Sequence, residues 1–138
     1  MARQERWILR VGEPLPPREI EIAVRVGIRR PERIRLLRVE RVPVPIGGIL
    51  GAAAKRAGFG FDDIGGMTMR YGIFIKSDCW GNLPLLAHEL AHTRQYEDLG
   101  GLYPFLYRYL REYLSDGYLG SSLEHEAYRI GMSFGASD

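Results

Sequence analysis

The sequence predicts an α+β protein, with a small N-terminal and central β-sheet packed against about three principal helices. In the first half of the chain, apolar residues alternate with polar ones. In the second half they recur at helical spacing, between residues that start and stop helices. Strands followed by helices are typical of α+β folds. The 138 residues suit a single domain over 1–138, with a basic, strand-rich part over 1–60 and a part over 61–138 that carries the candidate site.

Three segments have the pattern of strands. In PREIEIAVRVGI, residues 17–28, every second side chain is apolar, which predicts a half-buried strand. PERIRLLRVERVPVP, residues 31–45, would also suit a helix, but its β-branched residues and closing prolines favour a strand that ends near Val42. MTMRYGIFIKS, residues 67–77, alternates throughout and predicts one further strand. Residues 46–60 are rich in small side chains and are consistent with a short helix.

Three helices are predicted after these strands. The first begins at the N-cap Asn82, has Pro84 in its first turn and ends near Leu99, where two glycines follow. The second covers residues 102–116, whose apolar side chains lie largely on one side. The third follows the turn GYLGSS and covers residues 122–134.

The composition bears on nucleic-acid binding, on cellular location and on membrane insertion. Residues 1–60 contain 13 basic and 6 acidic residues, whereas residues 61–138 contain 6 and 11. The basic half could contact nucleic acid, but arginines on the solvent side of strands explain the charge better, so there is no strong nucleic-acid signal. The single cysteine, Cys79, excludes an internal disulfide and favours a reducing, cytoplasmic location. No apolar run is long enough for a transmembrane segment, and the oligomeric state is open.

The pattern HELAH, residues 88–92, predicts a metal site on the first helix. His88 and His92 lie four residues apart, so both imidazoles share one helix face and could bind a zinc ion at ~2.0–2.1 Å. Zinc lowers the pKa of a bound water to about 7, and Glu89 could then act as the general base that takes its proton and passes it to a leaving amine. Chance produces this pattern in well under ~1% of chains of this length, so a merely polar helix face is the weaker interpretation.

Catalytic zinc needs a third protein ligand, and several residues are candidates. Asp98 is disfavoured because it lies about 9 Å along an unbroken helix from the second histidine. His125 lies between two glutamates on an amphipathic helix, which favours a solvated surface histidine. Glu124 and Glu126 remain. Glu124 also fits a capping box with a serine three residues before it, so the residues alone leave the choice open.

A resemblance favours Glu124. HELAH followed by a separate helix with EHEA resembles the gluzincins, zinc peptidases whose third ligand is a glutamate on a downstream helix. In several gluzincin families a small residue lies three positions after that glutamate, as Ala127 does here, although Tyr128 stands where an aspartate usually follows. Residues 65–130 further resemble uncharacterised small bacterial proteins of zinc-peptidase type. The resemblance implies a minimal zincin-like architecture and one zinc ion with three ligands: His88, His92 and Glu124.

The predicted function is therefore a zinc-dependent hydrolase, a metallopeptidase acting on a peptide or protein, with Glu89 as general base. Tyr118 is the first candidate for stabilising the oxyanion, and Tyr128 is the second. Gln95, one turn after His92, could accept a hydrogen bond from its ring, but a surface glutamine is the favoured interpretation. If the strand over 67–75 lies at a sheet edge, extended substrate could pair with it. The alternative is a non-catalytic zinc-binding structural or interaction protein, in which the metal only ties two helices together.

Overall fold

The computed structural model describes residues 2–42, 65–116 and 122–135. The fold is α+β, as predicted. The predicted short helix over 46–60 and most of the GYLGSS turn lie outside the described residues. In the described part, two single 3₁₀ turns accompany the following helices and strands: α1 (Ala2–Val11), β1 (Glu13–Pro14), α2 (Pro17–Val26), β2 (Arg35–Val39), β3 (Gly66–Met69), β4 (Gly72–Lys76), α3 (Leu83–Leu99), α4 (Leu102–Asp116) and α5 (Ser122–Gly135).

The sheet has the strand order β1-β2-β4-β3, with β2 and β4 parallel and the other pairs antiparallel. Because side chains alternate along each strand, the two faces are covered by different helices. Phe74 and Met69 pack against Ile8 of α1, whereas Ile73 and Ile75 belong to the core formed with α2 and α3. Helix α5 packs on α3, and β3 is an edge strand of the described sheet that also contacts α3.

The three predicted helices of the second half are confirmed. Asn82 caps α3, since its Oδ1 accepts a hydrogen bond from the Leu85 N–H at 3.1 Å, and Pro84 lies in the first turn. The helix ends at Gly100, whose φ of 96° is the left-handed conformation that favours glycine. Helices α4 and α5 cover the predicted ranges, with α5 one residue longer. The residues that start and stop helices in the sequence were sufficient to predict these three helices.

The prediction of a strand over 17–28 is wrong, because these residues form helix α2. Pro17 occupies the first helical position after an extended Pro16, and Gly27 closes the helix with φ 105°. Ile22 and Val26 are buried four residues apart, whereas Val24 between them is 57% exposed. An alternating sequence places every fourth residue on one helix face as well as on one strand face, so the capping residues decide the structure.

The N-terminal part is also not strand-rich in the described residues. Helix α1 was missed by the sequence analysis, and it is fixed in place by two buried side chains, Ile8 and Glu5. Oε1 of Glu5 lies 2.7 Å from the Arg70 guanidinium, which comes from the turn between β3 and β4. Of the predicted strands in residues 1–42, β2 alone is confirmed as a strand, and it ends at Val39 rather than near Val42.

Residues 67–77 form a β-hairpin rather than one strand. β3 and β4 pair with each other around the turn Arg70–Tyr71, and Arg70 has φ 59°. This conformation is uncommon for a residue other than glycine, so the sequence carries no ordinary turn signal. Tertiary contacts hold it, since the Arg70 side chain pairs with Glu5 and its carbonyl accepts a hydrogen bond from Thr93 Oγ1 at 2.7 Å.

Within the described ranges, every helix is too short or too polar to cross a bilayer.

Candidate metal centre

Helices α3 and α5 bring two imidazoles and a carboxylate to one point. Oε1 of Glu124 lies 2.5 Å from Nε2 of His92 and 3.4 Å from Nε2 of His88. One ligand atom from each of the three residues lies within 4.8 Å of the other two. Tetrahedral ligands at ~2.0–2.1 Å from zinc are about 3.3 Å apart, so the distance from Glu124 to His88 already suits zinc and the distance to His92 is shorter than zinc needs. The three predicted ligands are therefore together, in an arrangement compatible with a metal ion.

The two helices approach closely enough for this because small residues line their contact. Ala127 is fully buried, and it lies one turn after Glu124. At Gly131 an added Cβ would lie 2.7 Å from the Pro84 carbonyl oxygen and 3.2 Å from Cβ of His88. Any larger residue at position 131 would push α5 away from α3, and with it the carboxylate of Glu124.

An acid from α4 binds the first residue of α5. The Glu112 carboxylate accepts hydrogen bonds from the N–H of Ser122 at 2.9 Å and from its hydroxyl at 2.7 Å. Arg108 contacts the same carboxylate at 3.2 Å. Glu124 is directed at the two histidines. The serine of the predicted capping box, Ser121, lies outside the described residues.

Gln95 orients His92, as one of the two sequence interpretations proposed. It is buried rather than on the surface. Its Nε2 lies 3.0 Å from both the Leu123 carbonyl oxygen and Oε1 of Glu126, and both of these atoms can only accept. Its Oε1, 2.8 Å from Nδ1 of His92, must then be an acceptor, so the proton of neutral His92 resides on Nδ1. In the neutral ring, Nε2 would then carry the lone pair that metal ligation requires.

The other candidate ligands lie elsewhere. Glu126 bonds to Gln95 rather than to the histidines, His125 is exposed on α5, and Asp98 pairs with Arg29 at 2.9 Å. Tyr118 lies outside the described residues, so its role remains a prediction. Tyr128, one turn after Glu124 on α5, is 63% exposed, so its role also remains a prediction.

Glu89 is held beside this cluster. Its side chain is buried, and Oε2 accepts a hydrogen bond from Thr68 Oγ1 of β3 at 2.8 Å. Burial raises the pKa of Glu89, while the neighbouring imidazoles of His92 and His88 and the Thr68 hydroxyl act to lower it. Gly66 of the same strand leaves space for it, because an added Cβ would lie 3.2 Å from Cγ of Glu89.

The charges of this cluster suit a divalent cation. Glu89 and Glu124 are buried, and with neutral imidazoles they would carry two uncompensated negative charges, which is costly away from water. Burial lowers the pKa of His92, but the hydrogen bond and charge of Glu124 outweigh it and raise this pKa to about 9. A metal ion would displace that proton and supply the positive charge itself.

The cluster is apolar on one side and reaches solvent on the other. Phe105 of α4 is buried with its ring 5.9 Å from that of His92, in an edge arrangement. His88 keeps about 19% of its side chain exposed. His88 therefore lies on the side of the cluster that is open to solvent, whereas His92 is buried. Sequence reasoning missed the roles of Thr68 and Phe105, because each reaches the cluster from another element of the fold. It also missed Glu112, which contacts Ser122 at the start of α5.

Comparisons with known proteins give no independent information on this geometry. The chain matches no protein family, no curated protein and no solved structure.

Proposed function

We propose that this protein is a zinc-dependent hydrolase of gluzincin type, and that its substrate is a peptide or protein. One observation carries the proposal: a buried carboxylate, that of Glu89, lies beside the cluster of two histidines and Glu124. A metal site that only joins two helices needs its ligands and nothing more. Placing a further buried acid next to it is costly unless that acid has chemistry to do.

The donor set supports zinc as the metal. Two imidazoles and one carboxylate match the ligands of many catalytic zinc sites, in which a fourth position is left for water or substrate. Zinc bound there would supply a Lewis acid and lower the pKa of water to about 7. His88 and His92 would contribute Nε2 atoms, and Glu124 would contribute a carboxylate oxygen.

The chain's own groups would carry the proton transfers. Glu89 would accept a proton from the attacking water and donate it to the amine that leaves when the peptide bond breaks. Phe105 would keep bulk water from the His92 side, and the exposed edge of His88 would be the side from which substrate enters. The edge strand β3, which contacts α3, is the candidate strand for extended substrate.

The second candidate function, a non-catalytic zinc protein, has an observation of its own. The three candidate ligands come from α3 and α5, so a metal would cross-link two helices that are already packed together. In that case the metal would contribute folding free energy and Glu89 would be dispensable.

The test combines metal analysis with a peptide-library screen of the wild type, Glu89→Gln, Glu124→Gln and Glu126→Ala. We expect about one zinc per chain in the wild type and in Glu89→Gln, and loss of zinc in Glu124→Gln but not in Glu126→Ala. We expect hydrolysis to fall at least about 100-fold in Glu89→Gln, since a general base contributes ~10²–10⁴-fold. Undiminished hydrolysis in Glu89→Gln would refute the mechanism. Zinc without any hydrolysis would favour the structural alternative.

A further inference from the structure

The edge strand β3 places a polar side chain, that of Thr68, beside Glu89 at the candidate metal centre. The inference drawn from this contact rests on the proposed function. Thr68 is buried in a strand whose other side chains are apolar or absent. Its hydroxyl lies 2.8 Å from Oε2 of Glu89 and 3.0 Å from the Glu89 carbonyl oxygen. A hydroxyl donates one hydrogen at a time, and the charged carboxylate is both the nearer and the stronger acceptor.

This hydroxyl is not needed to attach the strand to the helix. Two other hydrogen bonds already fasten the hairpin to α3, one from the Tyr96 hydroxyl to the Thr68 carbonyl at 3.1 Å and one from Thr93 Oγ1 to the Arg70 carbonyl at 2.7 Å. Both use main-chain acceptors and would persist with any side chain at position 68. The donor on Thr68 faces Glu89, and the carboxylate oxygen is the nearer of its two acceptors there.

We infer that Thr68 is a positioning residue for the general base, holding the Glu89 carboxylate in one orientation. With Oε2 held by the hydroxyl, Oε1 is the oxygen left for the attacking water. Gly66 completes the arrangement, because a side chain there would contact Cγ of Glu89 at 3.2 Å and displace the carboxylate.

The experiment compares Thr68→Val, which keeps the shape and removes the donor, with Thr68→Ser, which keeps the donor. It uses the zinc-loaded full-length protein, a peptide selected by the screen above and Glu89→Gln as reference. We expect kcat to fall roughly 10- to 100-fold in Thr68→Val, within the ~10²–10⁴-fold that a general base supplies, and to stay within about 3-fold in Thr68→Ser. KM and zinc content should be unchanged in both.

Tyr96→Phe is the matched control for strand attachment. It removes the neighbouring hydrogen bond to the same residue but leaves the Thr68 hydroxyl on the carboxylate. It should lower the melting temperature with kcat near that of the wild type. If Thr68→Val does not fold, Thr68→Ala replaces it, with the same expected fall in kcat.

The outcomes separate the two proposals. Wild-type kcat in Thr68→Val, or equal losses in Thr68→Val and Thr68→Ser, would overturn the role of Thr68 while leaving the hydrolase intact. A wild type that binds zinc but cleaves nothing would overturn both, because no reaction would remain for Thr68 to serve.

Discussion

Two acids lie in separate clusters along helix α3, and they differ in the partners that they face. At the centre, Glu124 of α5 faces ring nitrogens of His88 and His92. Near the end of α3, the Glu97 carboxylate accepts hydrogen bonds from the main-chain N–H groups of Arg29 and Arg30 at 2.8 and 3.1 Å. It also accepts one from the Tyr71 hydroxyl at 2.7 Å.

The two clusters differ in whether the partner groups can exchange a proton for a metal ion. Main-chain N–H groups and a tyrosine hydroxyl with a raised pKa keep their protons, so the Glu97 cluster is complete as it stands. Imidazole nitrogens exchange a proton for a metal ion, so the cluster around Glu124 can hold a cation in place of the proton. A buried acid with fixed donors indicates a structural attachment, and one that faces histidines indicates a site.

Neutralising one acid in each cluster tests whether only the cluster around Glu124 binds a metal ion. Glu124→Gln should lower zinc affinity more than about 100-fold, beyond the ~10–100-fold typical of groups that only support a ligand. Glu97→Gln should leave zinc affinity unchanged. Competition with a chromophoric chelator measures both, and equal affinities in the two variants would contradict the distinction.

Glu97→Gln should have its effect on stability instead. Its side chain is only 5% exposed, and the change removes a charged acceptor from two main-chain donors. A loss of about 1–3 kcal/mol in the free energy of unfolding is expected, measured by urea denaturation. A variant as stable as the wild type would show that this cluster does not hold residues 29–30 onto α3.

Gln95 lies beside the candidate metal centre but contacts His92 on the side away from the metal position. Gln95→Met keeps the approximate shape but leaves Nδ1–H of His92 without its acceptor, so zinc affinity should fall ~10–100-fold. Gln95→Glu should also bind zinc less well, because it faces the Glu126 carboxylate. Adding Glu126→Gln to Gln95→Glu restores an amide–carboxylate pair and should recover part of the loss. Equal affinity in the single and double variants would argue against this bridge.

Local signals explain which parts of the fold were predictable. Asn82 and Gly100 mark the ends of α3 in the sequence itself, and His88 and His92 need only a helix to share a face. The hairpin was missed because Arg70 is not an ordinary turn residue, and its conformation is held by contacts from α1 and α3. The N-terminal helices were missed or misassigned because alternation was given more weight than the capping positions of α2.

The third ligand marks the limit of local reasoning at the site. Positions 124 and 126 point in different directions from a helix, and which of them faces the histidines of α3 is a tertiary property. A signal did exist, since Ala127 and Gly131 lie three and seven positions after Glu124 on the same face, and small residues mark close helix contacts. Thr68 offered no comparable signal, because its neighbour depends on how β3 sits against α3.

The smallest expected effect concerns Glu112, an acid with fixed donors that nevertheless serves the centre. Burial raises the pKa of Glu112, but hydrogen bonds from Ser122 and Arg108 outweigh it, and the net pKa lies below the ordinary 4.5. A lowered folded-state pKa contributes stability that is present above about pH 4.5 and is lost as the pH falls through the folded-state value. Metal-free Glu112→Gln should therefore unfold with a weaker dependence on pH below about 4.5 than the metal-free wild type, in circular dichroism titrations. The same pH dependence in both proteins would show that another carboxylate governs the acid unfolding. Since Glu112 caps α5, the variant should also bind zinc slightly less well than the wild type at neutral pH.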